Sequence, residues 1–336
     1  GSGAGSAASA SVSPAFAAKL DQLYQAAKKD AEVVWAANNA PETFTQFSAL
    51  FQQRFPGIKL TIINLESPVQ GQRLVTEAQA NRVTIDVGMA GGGSVVPLDQ
   101  RKLLMPQDFS MAGINLKDTS TTFDGKLLTL NDAVLPWFYN KNLVGPSDVP
   151  RKYDDLLNPK WKGKIAVDKA GAGWQMMRLT VGEHDDKVEA FVKQLQDAGQ
   201  LVPVAGGPDS FDKVARGEAA FTNAQPIHRA TDAIAQGAPV DIAAPLGALV
   251  NLAGVFTIKG VPHPDAAELL IMWMATQEAR DSLAQAGVGR VQPCGPLPMD
   301  KVLCGKNVPL YYIDTIDKIT NSATLQAANA KIIAAS

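Results

Sequence analysis

Between residues 14 and 89, short apolar strands alternate with amphipathic helices, and no other feature of the sequence constrains the fold as strongly. Residues 14–29 place Phe16, Leu20, Leu23, Tyr24 and Ala27 on one stripe at helical spacing. Residues 31–37 read as a buried strand centred on Val33, Val34 and Trp35. Pro41 then occupies a helix N1 position, with Phe44, Phe47, Leu50 and Phe51 as the apolar face. Pro56 and Gly57 end that helix, and the β-branched run 59–64 follows as a strand. Residues 70–81 return to helix and 84–89 to strand. This order predicts an α/β layered fold with parallel strands.

The middle of the chain repeats the rhythm. Strands are predicted at 164–167, 201–204, 219–222 and 240–243. Helices are predicted at 185–197, through Val188, Phe191, Val192 and Leu195, then at 210–216 and from Pro226 onward. Two α/β blocks of similar rhythm, with no internal repeat, predict two lobes. After Gly260 a helix from Pro264 runs through Ala267, Leu270, Trp273 and Met274, and a second covers 277–286. A Pro-rich stretch and a polar helical tail complete the chain. Met272 and Trp273 read as core fillers.

Composition removes several classes of function. A formal net charge of -2 lacks the concentrated basic field of a nucleic-acid partner. The longest apolar run, 244–258, is too short to span a bilayer and contains Asn251. Residues 1–13 are small, without an apolar h-region, and read as a flexible N-terminus from which an export signal is already absent. Cys294 and Cys304 stand close together with no other cysteine, which fits a short disulfide loop in an oxidising compartment. Two unrelated free thiols are the alternative, and the missing CxxC spacing argues against zinc.

Catalytic machinery is not evident. The sequence carries no GxSxG elbow, Walker loop or HExxH motif. His184 and His263 read as solvated turn residues, whereas His228 follows a strand-to-helix junction and is the one histidine suited to a site. Asp154-Asp155 and Asp185-Asp186 read as helix N-terminal charges. The turns at Gly91-Gly92-Gly93-Ser94 and Gly171-Ala172-Gly173 serve either tight geometry or amide contact with an anion.

Five segments together resemble one family. They are AAKKDAEVVWAANNAPETFTQFSALFQQRFPGIKL (26–60), GQRLVTEAQANRVTIDV (71–87), YNKNLVGPSDVPRKYDDLLNPKWKGKIAV (139–167), VARGEAAFTN (214–223) and HPDAAELLIMWM (263–274). The chain resembles the family 1 extracellular solute-binding proteins of ABC importers, in the iron(III)-type branch, from about residue 26 to 298. The resemblance implies a type II periplasmic-binding-protein fold of two α/β lobes joined by crossover strands, with a helical C-terminal region. Lobe 1 would comprise residues 14–133 plus 250–336 and lobe 2 residues 134–249, with the ligand in the cleft between them. The crossovers would fall near 130–139 and 247–251. A periplasmic monomer is implied that meets an ABC permease transiently.

Iron-binding relatives hold the metal through a histidine, a carboxylate and paired tyrosines. Carried over position by position, these fall near Asn39, near Gly91, and at Gln225 and Pro226, while a supporting arginine falls near Ala133. None of these supplies the carboxylate or phenolate oxygens a ferric ion prefers. The expectation is therefore no metal, no cofactor, and a small polar organic solute that is phosphorylated, carboxylated or a polyol. The candidate contacts are Asn38, Asn39, Ser67, Gln72, Arg73, Gly91, Gly92, Ser94, Gly171, Ala172, Trp174, Asn223, Gln225 and Arg229. Two other readings use the same residues: a ferric-ion carrier, and an α/β transferase that would take phosphate on its Gly-rich turns.

Overall fold

The structure is a computed structural model that describes residues 12–112, 121–223 and 225–335. The first part of the chain forms α1 (Pro14–Ala27), β1 (Glu32–Ala37), α2 (Thr45–Arg54), β2 (Lys59–Asn64), α3 (Ser67–Gln79), β3 (Val87–Gly91) and α4 (Gly92–Gln100). β4 (Thr121–Thr122), β5 (Leu127–Pro136), β6 (Phe138–Asn140), β7 (Ile165–Asp168), α5 (Gln175–Thr180), α6 (Asp185–Asp197) and β8 (Leu201–Val204) follow. Next come α7 (Gly207–Ala215), β9 (Phe221–Thr222), α8 (Ile227–Ala235), β10 (Val240–Ile242) and β11 (Ala248–Phe256). α9 (Pro264–Met274), α10 (Gln277–Gln285), α11 (Pro298–Leu303), β12 (Leu310–Ile313) and α12 (Ile316–Ala334) complete it.

The chain divides into two compact units, Gly1–Asn131 with Leu252–Arg290 and Asp132–Asn251 with Val291–Ser336. The divisions fall inside β5, inside β11 and after α10. The third passage was not foreseen in the sequence, where residues 250–336 were all expected in lobe 1. Residues 291–336 instead join unit 2 for two physical reasons. β12 pairs in parallel with β11 over Ala248–Asn251, and α12 buries Leu325, Asn329 and Ile333 against α5 and α6.

In unit 1, β1 lies parallel to β2 and β3, and β11 returns antiparallel to β3. α1 begins where the Ser13 hydroxyl accepts the Phe16 N–H, and Phe16, Leu20, Leu23 and Ala27 face inward. α9 is the central helix: every residue from Leu269 to Met274 is buried. Its Trp273 meets Phe47 and Phe51 at ring separations of 4.9 and 5.4 Å, and Trp35 packs on Phe44 at 4.8 Å. Such tilted and edge-on pairs add roughly 0.5–1.5 kcal/mol each beyond their buried area. His263 departs from its solvated reading. Its ring Nδ1 lies 2.9 Å from a carboxylate oxygen of buried Asp86, which also accepts the N–H groups of Val34 and His263.

Unit 2 is built on a sheet in the order β10-β6-β9-β7-β8, with β7 parallel to β8 and β9. Trp137, Trp174, Phe191 and Phe221 lie in its core. A disulfide joins Cys294 to Cys304, as the cysteine spacing led us to expect. Asp185 pairs with buried Arg178, and Asp155 accepts the N–H groups of Arg151 and Lys152, so both acidic pairs organise helix starts.

Candidate functional site

In parallel α/β sheets, ligands gather beyond the carboxyl ends of the strands, where helices begin. In unit 1 that edge carries Asn38 after β1 and Gly91 at the end of β3. α3 starts with Ser67 and α4 with Gly92, and the two helices lie against each other. Gly71 permits this contact, because a Cβ there would sit 2.4 Å from the Ser94 carbonyl oxygen. The Ser67 hydroxyl links the two helix starts. It accepts the Gly91 N–H at 2.8 Å and donates to the Ser94 hydroxyl at 3.2 Å. Open space lies beyond Gly93, with no atom within 4 Å of where a Cβ would be.

Gln70, absent from the sequence-derived set, organises this edge. Its side chain is fully buried, and its amide addresses both polar groups of Met89, accepting the N–H at 3.0 Å and donating to the carbonyl at 2.9 Å. It also donates to the Leu65 carbonyl at 2.6 Å and meets the Asn38 amide at 3.0 Å. A signal existed in the sequence: Gln70 is a polar residue on the same helical stripe as buried Leu74, four positions on.

The structure therefore gathers Asn38, Ser67, Gly91, Gly92 and Ser94 at one edge of unit 1. Asn39 is exposed in the bend beside Asn38, and Gln72 is exposed on α3. Arg73 is committed elsewhere: its Nε pairs with Glu77 at 2.6 Å, and another guanidinium nitrogen donates to the Thr84 hydroxyl. Burial would raise the Glu77 carboxyl, yet the hydrogen bonds from Arg73 and Thr84 outweigh it and hold the group below its ordinary range.

In unit 2, β7 and β9 run parallel, so the turns after them are neighbours. The turn after β7 is drawn tight by Asp168, whose carboxylate accepts the Ala170 N–H and whose carbonyl accepts that of Gly171. Gly171 has φ +77° and lies against α12, where a Cβ would come within 2.2 Å of the Gln326 carbonyl oxygen. Gly173, at φ +92°, donates its N–H to the Gln175 side chain and accepts from the Asn223 amide at 3.1 Å. The amides of Ala170, Gly171 and Gly173 thus serve the protein's own oxygens, while Ala172 is half-buried between them. Asn223 is 2% exposed, and its Oδ1 has no partner among the described residues. A buried acceptor in that state costs roughly 1–3 kcal/mol.

Trp174 is fully buried, packed edge-on against Trp137 at 5.5 Å and near Phe191, so its ring belongs to the core and not to a ligand face. Gln225 is buried at the junction leading into α8, and His228 is exposed on that helix. Arg229 lies in α8, and its side chain is outside the described residues. Among the described residues no three His, Cys, Asp or Glu side chains are grouped so as to hold a metal ion. No described helix is long and apolar enough to cross a membrane.

Known proteins resemble the chain over most of its length. The iron uptake protein A1 of Synechocystis sp. (strain ATCC 27184 / PCC 6803 / Kazusa) is 22% identical over 264 residues, covering 74% of this chain and 71% of that protein. The fold is similar to that of iron-bound HitA from Pseudomonas aeruginosa, at 15% identity and TM-score 0.68, covering 90% of this chain and 99% of that one. It is also similar to the binding protein AgtB of A. tumefaciens R10 in complex with agropinic acid, at 16% identity and TM-score 0.60, covering 90% and 98%. The fold class is that of two-lobed periplasmic binding proteins. Residues 14–281 match the family described as bacterial extracellular solute-binding proteins, and the chain belongs to that family.

Proposed function

We propose that this protein captures a small organic solute bearing a carboxylate or phosphate together with hydroxyl groups, and delivers it to an ABC permease from the periplasm. The observation that carries this reading is the Ser67 bridge. Two helix starts stand side by side, joined by two hydroxyls, with room beyond Gly93. Helix N-termini and hydroxyl donors suit an anionic group. In unit 2 the buried Asn223 Oδ1 suits the opposite partner, a hydroxyl or amine that donates. The AgtB complex with agropinic acid gives the fold a precedent with an organic acid.

A second reading is a ferric cargo, supported by the relatives described as iron-bound or iron uptake proteins. The resemblance to iron-binding relatives puts their metal ligands near Asn39, near Gly91, and at Gln225 and Pro226 of this chain. These offer amide and carbonyl oxygens but no carboxylate or phenolate. Iron would therefore arrive as a chelate, with the organic acid supplying the hard oxygens.

Thermal-shift screening of the intact protein distinguishes the readings. Organic acids, sugar phosphates and polyols are tested beside Fe(III) alone and Fe(III) citrate. A specific ligand at a hundredfold excess over Kd stabilises by about 2.7 kcal/mol. The expected hit is an organic anion, weakened about tenfold by the Ser67→Ala, Ser94→Ala double change. Stabilisation by Fe(III) alone with a visible charge-transfer band would overturn the proposal.

A further inference from the structure

We propose that the Cys294–Cys304 disulfide is a thiol-exchange site, and that its reduction loosens α11 and, through it, α8. Both cysteines are exposed, they are ten positions apart, and α11 lies wholly inside the loop they close. The loop is wrapped around Asp300, which is fully buried. The Asp300 carboxylate accepts the N–H groups of Gln292 at 2.8 Å and Leu297 at 3.1 Å, and its carbonyl accepts that of Cys294 at 3.1 Å. Cys294 itself has φ +67°, a left-handed conformation that a side-chain-bearing residue avoids unless something holds it there. The cross-link is the covalent part of that hold.

The loop grips the helix next to it. α11 packs on α8, and just past Cys304 the Lys306 ammonium pairs at 2.8 Å with Asp241 of β10, the strand that follows α8. α8 begins two residues after Gln225 and carries Arg229, so the cross-link and the unit 2 candidate residues share one packing chain. A dithiol reductant can approach both exposed cysteines. Its thiolate attacks one cysteine sulfur, breaking the S–S bond and forming a mixed disulfide, which the reductant's second thiol resolves. Two electrons and two protons pass to the sulfurs of Cys294 and Cys304, and the reductant leaves as its own disulfide. The exposure of both cysteines is the mark of reducible bonds, as opposed to buried structural ones. This inference names no solute and stands apart from the proposed cargo.

The test uses the whole chain, treated with dithiothreitol under native conditions, alkylated for mass spectrometry and followed by amide hydrogen exchange. We expect both cysteines to be alkylated and exchange in α11 and α8 to rise roughly ten- to a hundredfold, the scale of the lost loop constraint. Exchange in α2 and α9 should stay unchanged. The Cys294→Ser, Cys304→Ser double variant should show the same pattern without reductant. Resistance to native reduction, unchanged exchange in α8, or a rise spread through both units would each overturn the proposal.

Discussion

Replacing Gln70 with leucine gives the sharpest test of how the unit 1 edge is held. The Gln70 amide bonds both polar groups of Met89, filling the place a neighbouring strand would take where β1 has ended. Leucine has nearly the same volume and would fill the space, but it can neither donate nor accept. The change leaves the Met89 N–H, the Met89 carbonyl and the Leu65 carbonyl without that partner. At roughly 1–3 kcal/mol for each buried group, discounted because a carbonyl can find water at the edge, the cost is about 3–5 kcal/mol. For a domain of this size that lowers Tm by roughly 10 °C. Urea unfolding should show a lower midpoint with an unchanged slope, and the Met89 amide should exchange faster than its neighbours in β1. A Gln70→Leu protein within about 0.5 kcal/mol of the parent would refute the reasoning, since surface changes fall in that band.

Other positions give independent checks. Gly171→Ala combines a left-handed backbone with contact against Gln326 and Ala330 of α12, so unit 2 should lose about 2–4 kcal/mol in urea unfolding. Asp86→Ala removes the acceptor shared by Val34 and His263 and should cost about 2–4 kcal/mol by the same assay. The Glu218 carboxyl, hydrogen-bonded by Arg216 and Lys213, is held down to about 2. Its folded value lies below the unfolded one, so its contribution is present above the ordinary carboxylate range and is lost as pH falls through about 2. NMR titration should find that low midpoint in the parent and a rise in Arg216→Ala.

The elements legible in the sequence were those whose signal is local. α1 and α6 announce themselves because an inward stripe repeats every three or four residues, and β1 and β8 because their apolar runs are short and bounded. β12 was not legible: Leu310–Ile313 becomes a strand only by pairing with Ala248–Asn251, far away in sequence. The same nonlocality carried the tail to unit 2. Of the candidate contacts, Gly91 and Ser94 were readable from turn chemistry and Ser67 only as a hydrogen-bonding residue, and the three come together. Arg73 was read as lying near a helix start, and the structure pairs it with Glu77, four residues on. The packing of Trp174 was not legible, because its neighbour Trp137 lies in another strand–turn region of the chain.

Because the backbone passes between the units three times, neither can be completed from one continuous stretch. Unit 1 waits for α9, its most buried helix, and unit 2 waits for β12 and α12. A nascent chain stopped near residue 250 would hold two unfinished cores. Such wiring means that neither core can close before the residues beyond about 252 have been made.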